Sequence, residues 1–492
     1  MKIASTLLAL TLILASAAGC AAENNTGNTT DTAAADATSE NQTKSEDTRI
    51  LSDAPVNDYG GVDFRIISKE SNTSNHHWDA RDIDTDAETG DVINDAVYRR
   101  NLTIEERYNI NIVKTESADP EGLAKKAVLA ESDEYDIMFA NQNGAVGLAQ
   151  SGYLFDLNKI PYIDLVKPWY DQNSNAQLSV NGKLYTTFCD FTILDKDATW
   201  VYLFNKQLLQ DLSLEDPYKL VRDGEWTIDK LTEMCVGASK DLDGDGVLTW
   251  RDQYGWEGET WNMYAGIVAA DVVMIPKNSD DLPVYAGLGE RGLTAFTKLL
   301  NLFGNKNLCL RVEDITGVTG DLWVEVMDKS FMEGRVLFNN AGMNRVSLFR
   351  GMDIDFGVLP SPKLDSSQEY YCNTVTGAPS LAVLGTVRDL DKIGMITDAL
   401  CAESKYTLIP AYYNVQLKTK LSRDNDSAEM FDIIFASRRF DLALTYGWGE
   451  LSAIFANAMK SNNSGIISVL EKREVKIQAA IDKTITAYQD LD

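Results

Sequence analysis

The chain has 492 residues with 74 acidic and 45 basic side chains, a net charge of −29 and 44% hydrophobic positions. This is the composition of a soluble globular protein, and its negative field disfavours nucleic acid as a partner because it repels phosphate. Only two histidines occur, the adjacent His76 and His77, which excludes most serine–histidine and multi-histidine zinc mechanisms.

The start of the chain is typical of an export signal. A basic second residue precedes an apolar run from Ile3 to Ala15 that is too short to span a bilayer. The run ends in Ser16-Ala17-Ala18-Gly19-Cys20, which resembles the lipobox of bacterial lipoproteins except that Ala17 stands where leucine is commonest. We therefore expect residues 1–19 to be a signal peptide. Cys20 is expected to carry a lipid that holds the protein on the outer face of the cytoplasmic membrane, at the cell surface or the periplasmic side; ordinary cleavage by a different peptidase is the alternative.

A polar segment follows the lipobox. From Ala21 to Arg49 the sequence contains no Val, Ile, Leu, Met, Phe, Trp or Tyr, so it cannot bury enough apolar surface to fold. A flexible coil of this length spans roughly 30 Å. Residues 20–57 are therefore predicted to be a lipid-anchored, disordered linker.

Strands and helices alternate along the first part of the body. Alternating apolar residues predict strands at Val62–Ile67, Asn109–Val113 and Tyr135–Ala140, and helical spacing predicts helices at Gly90–Asn109 and Pro120–Ala130. This order is typical of parallel α/β units, in which ligands bind at the carboxyl ends of strands. The loop predicted at Asn141–Gly144 lies at such an end.

The later chain continues in the same style and then becomes helical. Strands are predicted at Trp200–Phe204 and Phe356–Leu359, and Thr227 is predicted to cap a helix over Ile228–Ser239. Helical spacing with few breakers predicts a helical C-terminal end, with helices at Ser427–Ser437, Glu450–Lys460 and Ile467–Tyr488. The overall prediction is an α/β fold.

The cysteines of the body do not form a recognisable framework. Their number is odd and their spacing is wide, and no CxxC pair occurs. Apolar neighbours predict mostly buried thiols at Cys189, Cys235, Cys309, Cys372 and Cys401.

The segment Asp241–Asp252 matches the calcium loop of EF-hands. Such loops place oxygen ligands at positions 1, 3, 5, 7 and 12 and glycine at position 6. Here the ligand positions hold Asp241, Asp243, Asp245, the Val247 carbonyl and Asp252. Position 12 is Asp instead of the usual Glu, and the residues after it do not resemble a second helix. We expect a structural calcium site; a metal-free Asp/Gly turn is the alternative.

The order of several segments resembles the extracellular solute-binding proteins of family 1, the sugar-capturing lipoproteins of ABC importers, of which maltodextrin-binding protein is typical. The segments span nearly the whole body: LAQSGYLFDLN (148–158), VKPWY (166–170), YLFNKQLL (202–209), GEWTIDKLTEM (224–234), FMEGRVLF (331–338), DFGVLPSPK (355–363) and SRRFDLALTYGWGEL (437–451). No segment is specific alone, but their order and spacing are.

The resemblance implies a bilobal, type II periplasmic-binding-protein fold that closes on a solute by hinge motion and delivers it to ABC permease subunits. It implies a monomer with a first lobe of 58–188 plus 369–436 and a second of 189–368 plus 437–492. The chain would cross between the lobes near Cys189–Thr192 and near Lys363–Tyr370. By this resemblance the protein is not an enzyme.

Sugars require aromatic faces for stacking and polar side chains for hydrogen bonds. We selected loop aromatics and polar groups near predicted strand ends, whereas Trp169 and Trp226 are expected to pack in the body. Trp256 and Trp261 are expected either to line the cleft or to cover the calcium loop. The candidate ligand-binding residues are Trp78, Asp79, Arg81, Asn141, Gln142, Asn143, Asp190, Trp256, Trp261, Asn340, Met343 and Trp448.

Other functions remain open from the sequence. The same fold could bind a peptide, a polyamine or another metabolite. An exported glycoside-active enzyme would need two positioned carboxylates, which 74 acidic residues do not exclude, although no GxSxG, HExxH or SxxK motif occurs. An adhesin or structural lipoprotein is a further alternative.

Overall fold

The computed structural model describes residues 49–70, 81–421 and 425–491, and two large β-sheets organise them beside a two-stranded one. The strands are β1 (Val62–Lys69), β2 (Ile110–Ser117), β3 (Ile137–Asn141), β4 (Trp200–Asn205), β5 (Tyr254–Gly258), β6 (Cys309–Arg311), β7 (Val336–Gly342), β8 (Phe356–Leu359), β9 (Asn373–Thr374), β10 (Pro379–Val383) and β11 (Arg438–Arg439).

Helices surround both sheets. They are α1 (Val92–Tyr108), α2 (Pro120–Leu129), α3 (Gln142–Gln150), α4 (Gln172–Leu178), α5 (Leu194–Asp197), α6 (Lys206–Asp211), α7 (Pro217–Arg222), α8 (Ile228–Val236), α9 (Asn262–Ala269), α10 (Gly289–Phe303), α11 (Asp328–Met332), α12 (Asn344–Phe349), α13 (Leu390–Tyr406), α14 (Leu408–Pro410), α15 (Asn425–Ala436), α16 (Leu442–Tyr446), α17 (Leu451–Ser461) and α18 (Ile466–Asp490). Wider π-helical turns cover Trp323–Met327 and Ala411–Leu421, and 3₁₀ turns cover Leu157–Lys159, Val312–Asp314 and Trp448–Glu450.

The first sheet has the strand order β10-β3-β1-β2. β1 pairs in parallel with β2 and β3, and β10 pairs antiparallel with β3, Leu381 opposite Phe139. Fully buried Phe64, Ile66 and Met138 lie in its core. Because β1, β2 and β3 are parallel, their carboxyl ends share one edge of the sheet.

The second sheet has the strand order β6-β5-β7-β4-β8. β5 is parallel to β6 and β7, whereas β4 runs antiparallel to both β7 and β8. The sequence predicted parallel units only, but each sheet contains antiparallel pairing. Both sheets acquire an antiparallel strand where the chain arrives from the other sheet. β4 is the first strand of the second sheet, and β10 is the strand with which the chain returns to the first sheet.

The predicted elements are confirmed, with shifted ends. Thr227 caps α8 by accepting from the Lys230 amide, as predicted. Asp91 caps α1 by accepting from the Ile93 and Asn94 amides. One predicted loop is wrong, because α3 begins at Gln142, inside the predicted loop Asn141–Gly144. Asn141 caps that helix by accepting from the Asn143 amide, a role that asparagine favours.

Two segments connect the sheets. The first runs from Cys189, which bridges Tyr170, to Trp200 at the start of β4, and the second runs from the end of β8 at Leu359 to β10. They bridge each other between Thr199 and Val375. Both include the predicted crossings, and the lobe boundaries stay a prediction.

A buried group of charges lies along the first connecting segment. We call it the linker cluster; its members are Asp171, Asp190, Asp195, Lys196 and Arg438. Arg438 lies in β11, which pairs with β9 in the second connecting segment. The linker cluster therefore ties the two connecting segments to α4, whose first turn Asp171 caps.

The C-terminal helices pack between elements of both sheets. α17 lies against α9, beyond β5, and the Tyr488 ring near the end of α18 lies 4.8 Å from the Tyr185 ring, which precedes the first connecting segment. The Lys183 ammonium also donates to the Tyr488 carbonyl at 2.6 Å. The C-terminal end is therefore helical, as predicted, and α18 contacts residues that precede the first connecting segment.

Two general expectations about the body can be compared with these ranges. The five body cysteines are free and buried, which confirms the predicted thiols. Within the described ranges, no helix is both long enough and apolar enough to cross a bilayer.

Candidate functional site

The candidate site lies at the edge of the second sheet where β5, β6 and β7 end. These three strands are parallel, so the residues that follow them converge. β4 runs the other way and therefore begins at the same edge, with Trp200 opposite Gly342 of β7. We call this edge the binding edge; it carries Trp200, Glu259, Trp261, Glu313 and Arg345.

Two half-buried tryptophans form a corner on the binding edge. The Trp200 and Trp261 rings lie 4.4 Å apart, centroid to centroid, at an interplanar angle of 84°. Trp261 precedes α9 and its indole N–H donates to the Glu259 carboxylate. This hydrogen bond fixes the orientation of the Trp261 ring and leaves an aromatic face beside a carboxylate, which suits the apolar face and hydroxyl rim of a sugar.

Glu259 is held in a partly dehydrated position. Burial raises the pKa of Glu259 to about 7, the Trp261 hydrogen bond opposes this rise, and the negative charge of Glu313 adds to it. Glu313, which follows β6, accepts from both the amide and the hydroxyl of Thr260. A carboxyl group with this pKa can accept or donate a hydrogen bond near neutral pH.

Arg345 is a buried residue of the binding edge and lies in α12, the helix that follows β7. Arg345 in α12 is 2% exposed, and its guanidinium lies 3.3 Å from the Asp328 carboxylate and 5.5 Å from the centroid of the half-buried Trp323 ring. Burial lowers the pKa of Arg345, although the Asp328 charge opposes this shift. Arg345 and Trp323 therefore place a cation and a further aromatic ring beside the ends of β5 and β7.

A fully buried acid lies beneath Glu259. Glu257 in β5 accepts from the Ser330 hydroxyl and, at 2.6 Å, from the Asn339 amide of β7. Burial raises the pKa of Glu257 to about 8 despite these two donors. The interior of this lobe therefore favours a neutral Glu257.

Arg81 lies beside Asp197, three residues before Trp200 of the binding edge. It follows β1 in the chain, and its guanidinium lies 3.5 Å from the Asp197 carboxylate, with the Arg81 side chain 41% exposed. Asp197 also accepts from the Tyr412 hydroxyl at 2.7 Å, and burial raises its pKa although the Arg81 charge opposes this. A side chain added at Gly342 would approach the Asp197 carbonyl to 3.3 Å, so this ion pair adjoins the binding edge.

Other predicted ligand residues cluster at the end of β3. Asn143 donates to the Leu444 carbonyl of α16 at 2.7 Å, and Asn141 donates to the Gly377 carbonyl of the second connecting segment at 3.3 Å. Gln142 is 3% exposed, and its amide nitrogen has no hydrogen-bond partner in the described part of the chain. Asp190 lies in the linker cluster, 3.3 Å from the Lys196 ammonium. Their role as ligand contacts stays a prediction.

Four predicted ligand residues are core residues, so those predictions are corrected. Trp256 in β5 is fully buried 4.4 Å from the Phe303 ring, and Trp448 is 3% exposed and donates to the Thr484 hydroxyl. Asn340 lies within β7, which is longer than predicted, and its amide donates to the Val201 carbonyl. Met343 is 1% exposed. Packing against neighbouring strands and helices encloses all four side chains.

Some predicted residues lie outside the described residues. These are Cys20, His76, His77, Trp78 and Asp79. The predicted sugar contacts of Trp78 and Asp79 therefore stay predictions, as does lipidation of Cys20.

The sequence did not point to several residues of the binding edge. Trp200 was assigned only to a strand, and Asp197, Glu259, Trp323 and Arg345 were not selected. Glu259 directly follows β5, so its position at a strand end was a usable signal. No local pattern marks Trp323 or Arg345, which are brought to the edge by packing.

The Asp-rich loop lies outside the binding edge, between α8 and β5. One carboxylate oxygen each of Asp241, Asp243 and Asp252 lies within 4.8 Å of the others, and ligands of one calcium ion lie at most about 5 Å apart. Gly246 has φ of 84°, as a turn at position 6 requires. Asp245 accepts from the Val247 amide at 2.7 Å. The donor set fits calcium. As expected from the sequence, no second helix follows the loop directly; the next element in the chain is the strand β5.

Comparisons with known proteins show the fold. No protein-family model matches the sequence, and a search of curated proteins finds none that is similar. Among solved structures, the sugar-binding protein MalE from Xanthomonas citri has a TM-score of 0.59 at 13% identity and covers 87% of this chain and 100% of its own.

Two further structures are similar over the same extent. Apo RafE from Streptococcus pneumoniae has a TM-score of 0.53 at 13% identity and covers 87% of this chain and 97% of its own. The ABC substrate-binding protein Lmo0181 from Listeria monocytogenes, in complex with cycloalternan, has a TM-score of 0.52 at 11% identity and covers 88% of this chain and 100% of its own. The predicted bilobal α/β fold of solute-binding proteins is therefore confirmed.

Proposed function

We propose that this protein is the solute-binding component of an ABC importer and that it captures an extracellular oligosaccharide at the binding edge. The observation that carries the proposal is the Trp200–Trp261 corner, which lies beside Glu259. Arg81, which follows β1 of the other sheet in the chain, pairs with Asp197 three residues before Trp200. A solute held by this corner and by Arg81 would contact both lobes, and hinge closure would enclose it. The shared fold with MalE and Lmo0181 supports this function.

The chemistry of the binding edge favours a sugar over a peptide or polyamine. Aromatic rings at nearly right angles cover two faces of a small ring, and the half-buried Glu259 offers hydrogen bonds to hydroxyl groups. A polyamine would require several ionised carboxylates, but burial raises the pKa of Glu259 to about 7, so this group is only partly ionised at neutral pH. Binding without catalysis agrees with the near absence of histidine in the chain.

Replacing Trp261 with alanine is expected to weaken oligosaccharide binding about fivefold to tenfold, because one aromatic stack contributes about 1 kcal/mol. A thermal-shift screen with maltotriose, maltoheptaose and cycloalternan identifies the ligand, since a solute that binds only the folded state raises the melting temperature. Calorimetry then compares the wild-type protein with Trp261→Ala for that ligand.

Tyr162→Ala serves as the matched control. Tyr162 is a 41% exposed aromatic residue that follows β3 of the first sheet in the chain and does not belong to the binding edge. It should bind the oligosaccharide as the wild type does. If no sugar changes the melting temperature but a peptide or polyamine does, the fold stands and the solute class is wrong. Cleavage of the sugar would contradict the assignment as a binding protein.

We propose that Cys20 carries the lipid anchor and that the polar segment after it tethers the body near a permease on the outer face of the membrane. A capture protein must stay close to its permease, and the lipobox-like residues Ser16–Cys20 support this placement. The placement fails if a Cys20→Ala variant remains in the membrane fraction.

We infer that the Asp241–Asp252 loop binds calcium as a structural ion, through Asp241, Asp243, Asp245, Asp252 and the Val247 carbonyl. The ion would offset the repulsion between carboxylates that lie within 4.8 Å of one another. Calcium is expected to raise the melting temperature by a few degrees and a chelator to lower it, by mass action. The Asp243→Asn variant should lose this response.

Asp280→Asn is the control for the calcium experiment, because Asp280 is an exposed acid in a different turn. It should keep the full response to calcium and chelator. Equal melting temperatures of the wild-type protein with calcium and with chelator would contradict the calcium site.

A further inference from the structure

A separate cavity lies along β6, the edge strand of the second sheet. It has a volume of about 360 Å³ and is bordered by the end of the Asp-rich loop, the start of β5, β6 and the residues that follow β6. None of its lining residues belongs to the binding edge. We call this space the rear cavity.

Two aromatic residues line the rear cavity. Trp250 is half-buried, whereas Tyr254 is only 3% exposed. The Tyr254 hydroxyl has no hydrogen-bond partner within the described part of the chain, and it is not one of the buried side-chain atoms that lack a partner. An accessible hydroxyl of this kind can hydrogen-bond to water or to a ligand in the cavity. Tyr254 thus offers the cavity both a ring face and an unused polar group.

The charged side chains that line the rear cavity are mostly basic. The lining contains Arg251, Lys306 and Arg311 but only one carboxylate, Asp314, in a protein of net charge −29. Asp314 pairs with Lys306 at 2.9 Å and with the 1% exposed Arg311. The lining side chains therefore carry an excess of two positive charges, and the negative charge of Asp252 in the neighbouring Asp-rich loop also acts on Tyr254.

Arg251 is the cation with no carboxylate partner. Its guanidinium lies 4.1 Å from the centroid of the Trp250 ring, and no acidic group within the described ranges lies within ion-pair distance of it. A guanidinium that is stacked on an aromatic face keeps its hydrogen-bond donors directed outward. Together with the 63% exposed Lys306, it offers an anion two donors near the mouth of the cavity.

We propose that the rear cavity binds a small carboxylate that carries a ring, with the ring against Trp250 and Tyr254 and the carboxylate at Arg251 and Lys306. The volume is at the small end of the range for ligand sites, so the occupant is a single ring compound and not an oligosaccharide chain. A uronic acid and an aromatic acid share this chemistry. The proposal is independent of the oligosaccharide site, because the lining of the rear cavity and the binding edge share no residue.

The test uses the full protein in calorimetric and NMR titrations with D-glucuronate and with benzoate. D-glucose and benzyl alcohol serve as the neutral counterparts. We expect at least one carboxylate to bind at millimolar concentration and its neutral counterpart not to bind. Lys306→Met should weaken that binding at least fivefold, and added salt should weaken it as well. Tyr254→Phe, which keeps the ring and removes only the hydroxyl, should weaken it at least twofold.

Lys476→Met is the matched control, because Lys476 is a lysine of similar exposure, 59%, on α18. It should bind the carboxylate as the wild type does. Stronger binding of glucuronate than of benzoate identifies the ligand as a uronic acid, and the reverse identifies an aromatic acid. The proposal is overturned if neither carboxylate binds, if the neutral counterparts bind equally well, or if Lys306→Met binds as tightly as Lys476→Met. Loss of oligosaccharide binding without loss of carboxylate binding would affect only the proposed function.

Discussion

Replacing Arg438 with methionine is expected to lower the free energy of unfolding by about 3–5 kcal/mol. Arg438 is 9% exposed at its side chain and pairs with Asp195, 1% exposed, at 2.5 Å and with Asp171. Its removal leaves a buried carboxylate with Lys196 as its remaining close cation. Chemical denaturation, followed by tryptophan fluorescence, measures the loss.

The charges of the linker cluster depend on one another. Burial raises the pKa of Asp195, but the charges of Lys196 and Arg438 outweigh it and hold the pKa below its ordinary value. Burial likewise lowers the pKa of Arg438, and the charges of Asp195 and Asp171 reverse this shift. Each of these side chains therefore stays ionised in the interior only while its partners are present. Removing one partner leaves the other charge buried and unpaired, and this lowers the free energy of unfolding by more than the intact pair adds to it.

Arg439→Met is the matched control for Arg438→Met. Arg439 is the adjacent arginine, but its side chain is 30% exposed and pairs with Asp271, which is 46% exposed. An exposed pair of this kind contributes at most about 1 kcal/mol. Asp195→Asn combined with Arg438→Met should recover part of the loss, because it removes the uncompensated charge. Equal effects of Arg438→Met and Arg439→Met would contradict this account of the linker cluster.

Glu257→Gln is expected to flatten the dependence of stability on pH. The pKa of Glu257 is about 8 in the folded protein because of burial, against an ordinary value of 4.5. The neutral form is thus the one that the fold favours, and its stabilisation is complete below pH 4.5 and is lost as the pH rises towards 8. Between pH 5 and pH 8 the wild-type protein should lose about 3 kcal/mol through this group.

Glutamine has the shape of protonated glutamate and does not ionise, so Glu257→Gln should retain its stability at pH 8. Denaturation curves at pH 5 and pH 8 give the difference between wild type and variant. Glu333→Gln is the control, because the Glu333 side chain is 59% exposed, and it should show the wild-type dependence on pH. A Glu257→Gln variant that loses as much stability as the wild type over this range would show that Glu257 is ionised in the folded protein.

The candidate site could be predicted only in part. Trp261, a candidate from the sequence, lies at the binding edge and Arg81 pairs with Asp197 next to it, whereas Trp256 and Trp448, which are candidates on the same grounds, are core residues. Trp256 lies within β5 and Trp261 just beyond it, so the two side chains meet different surroundings. The burial of Trp256 becomes visible only in the tertiary structure, where its ring packs against the Phe303 ring.

The sequence by itself determined the local elements, because alternation, helical spacing and capping residues act between neighbours in the chain. Thr227 and Phe356–Leu359 show this directly, since the cap and the strand lie where the pattern predicts them. The sequence also determined the spacing of the ligand residues in the Asp-rich loop, because that spacing is set by neighbouring positions in the chain. The α/β class followed from the same patterns.

The tertiary structure alone decided which polar and aromatic residues meet. Asp171, Asp195 and Arg438 are separated by up to 267 positions in the chain yet form one buried cluster, and Arg345 reaches Trp323 and Asp328 only because β7 and α12 place it there. Contacts over such separations depend on how the sheets and helices pack, and burial then sets the pKa of Glu257 and Glu259. Sequence patterns contain the elements, but the dehydration and the meeting of distant charges arise only when those elements pack.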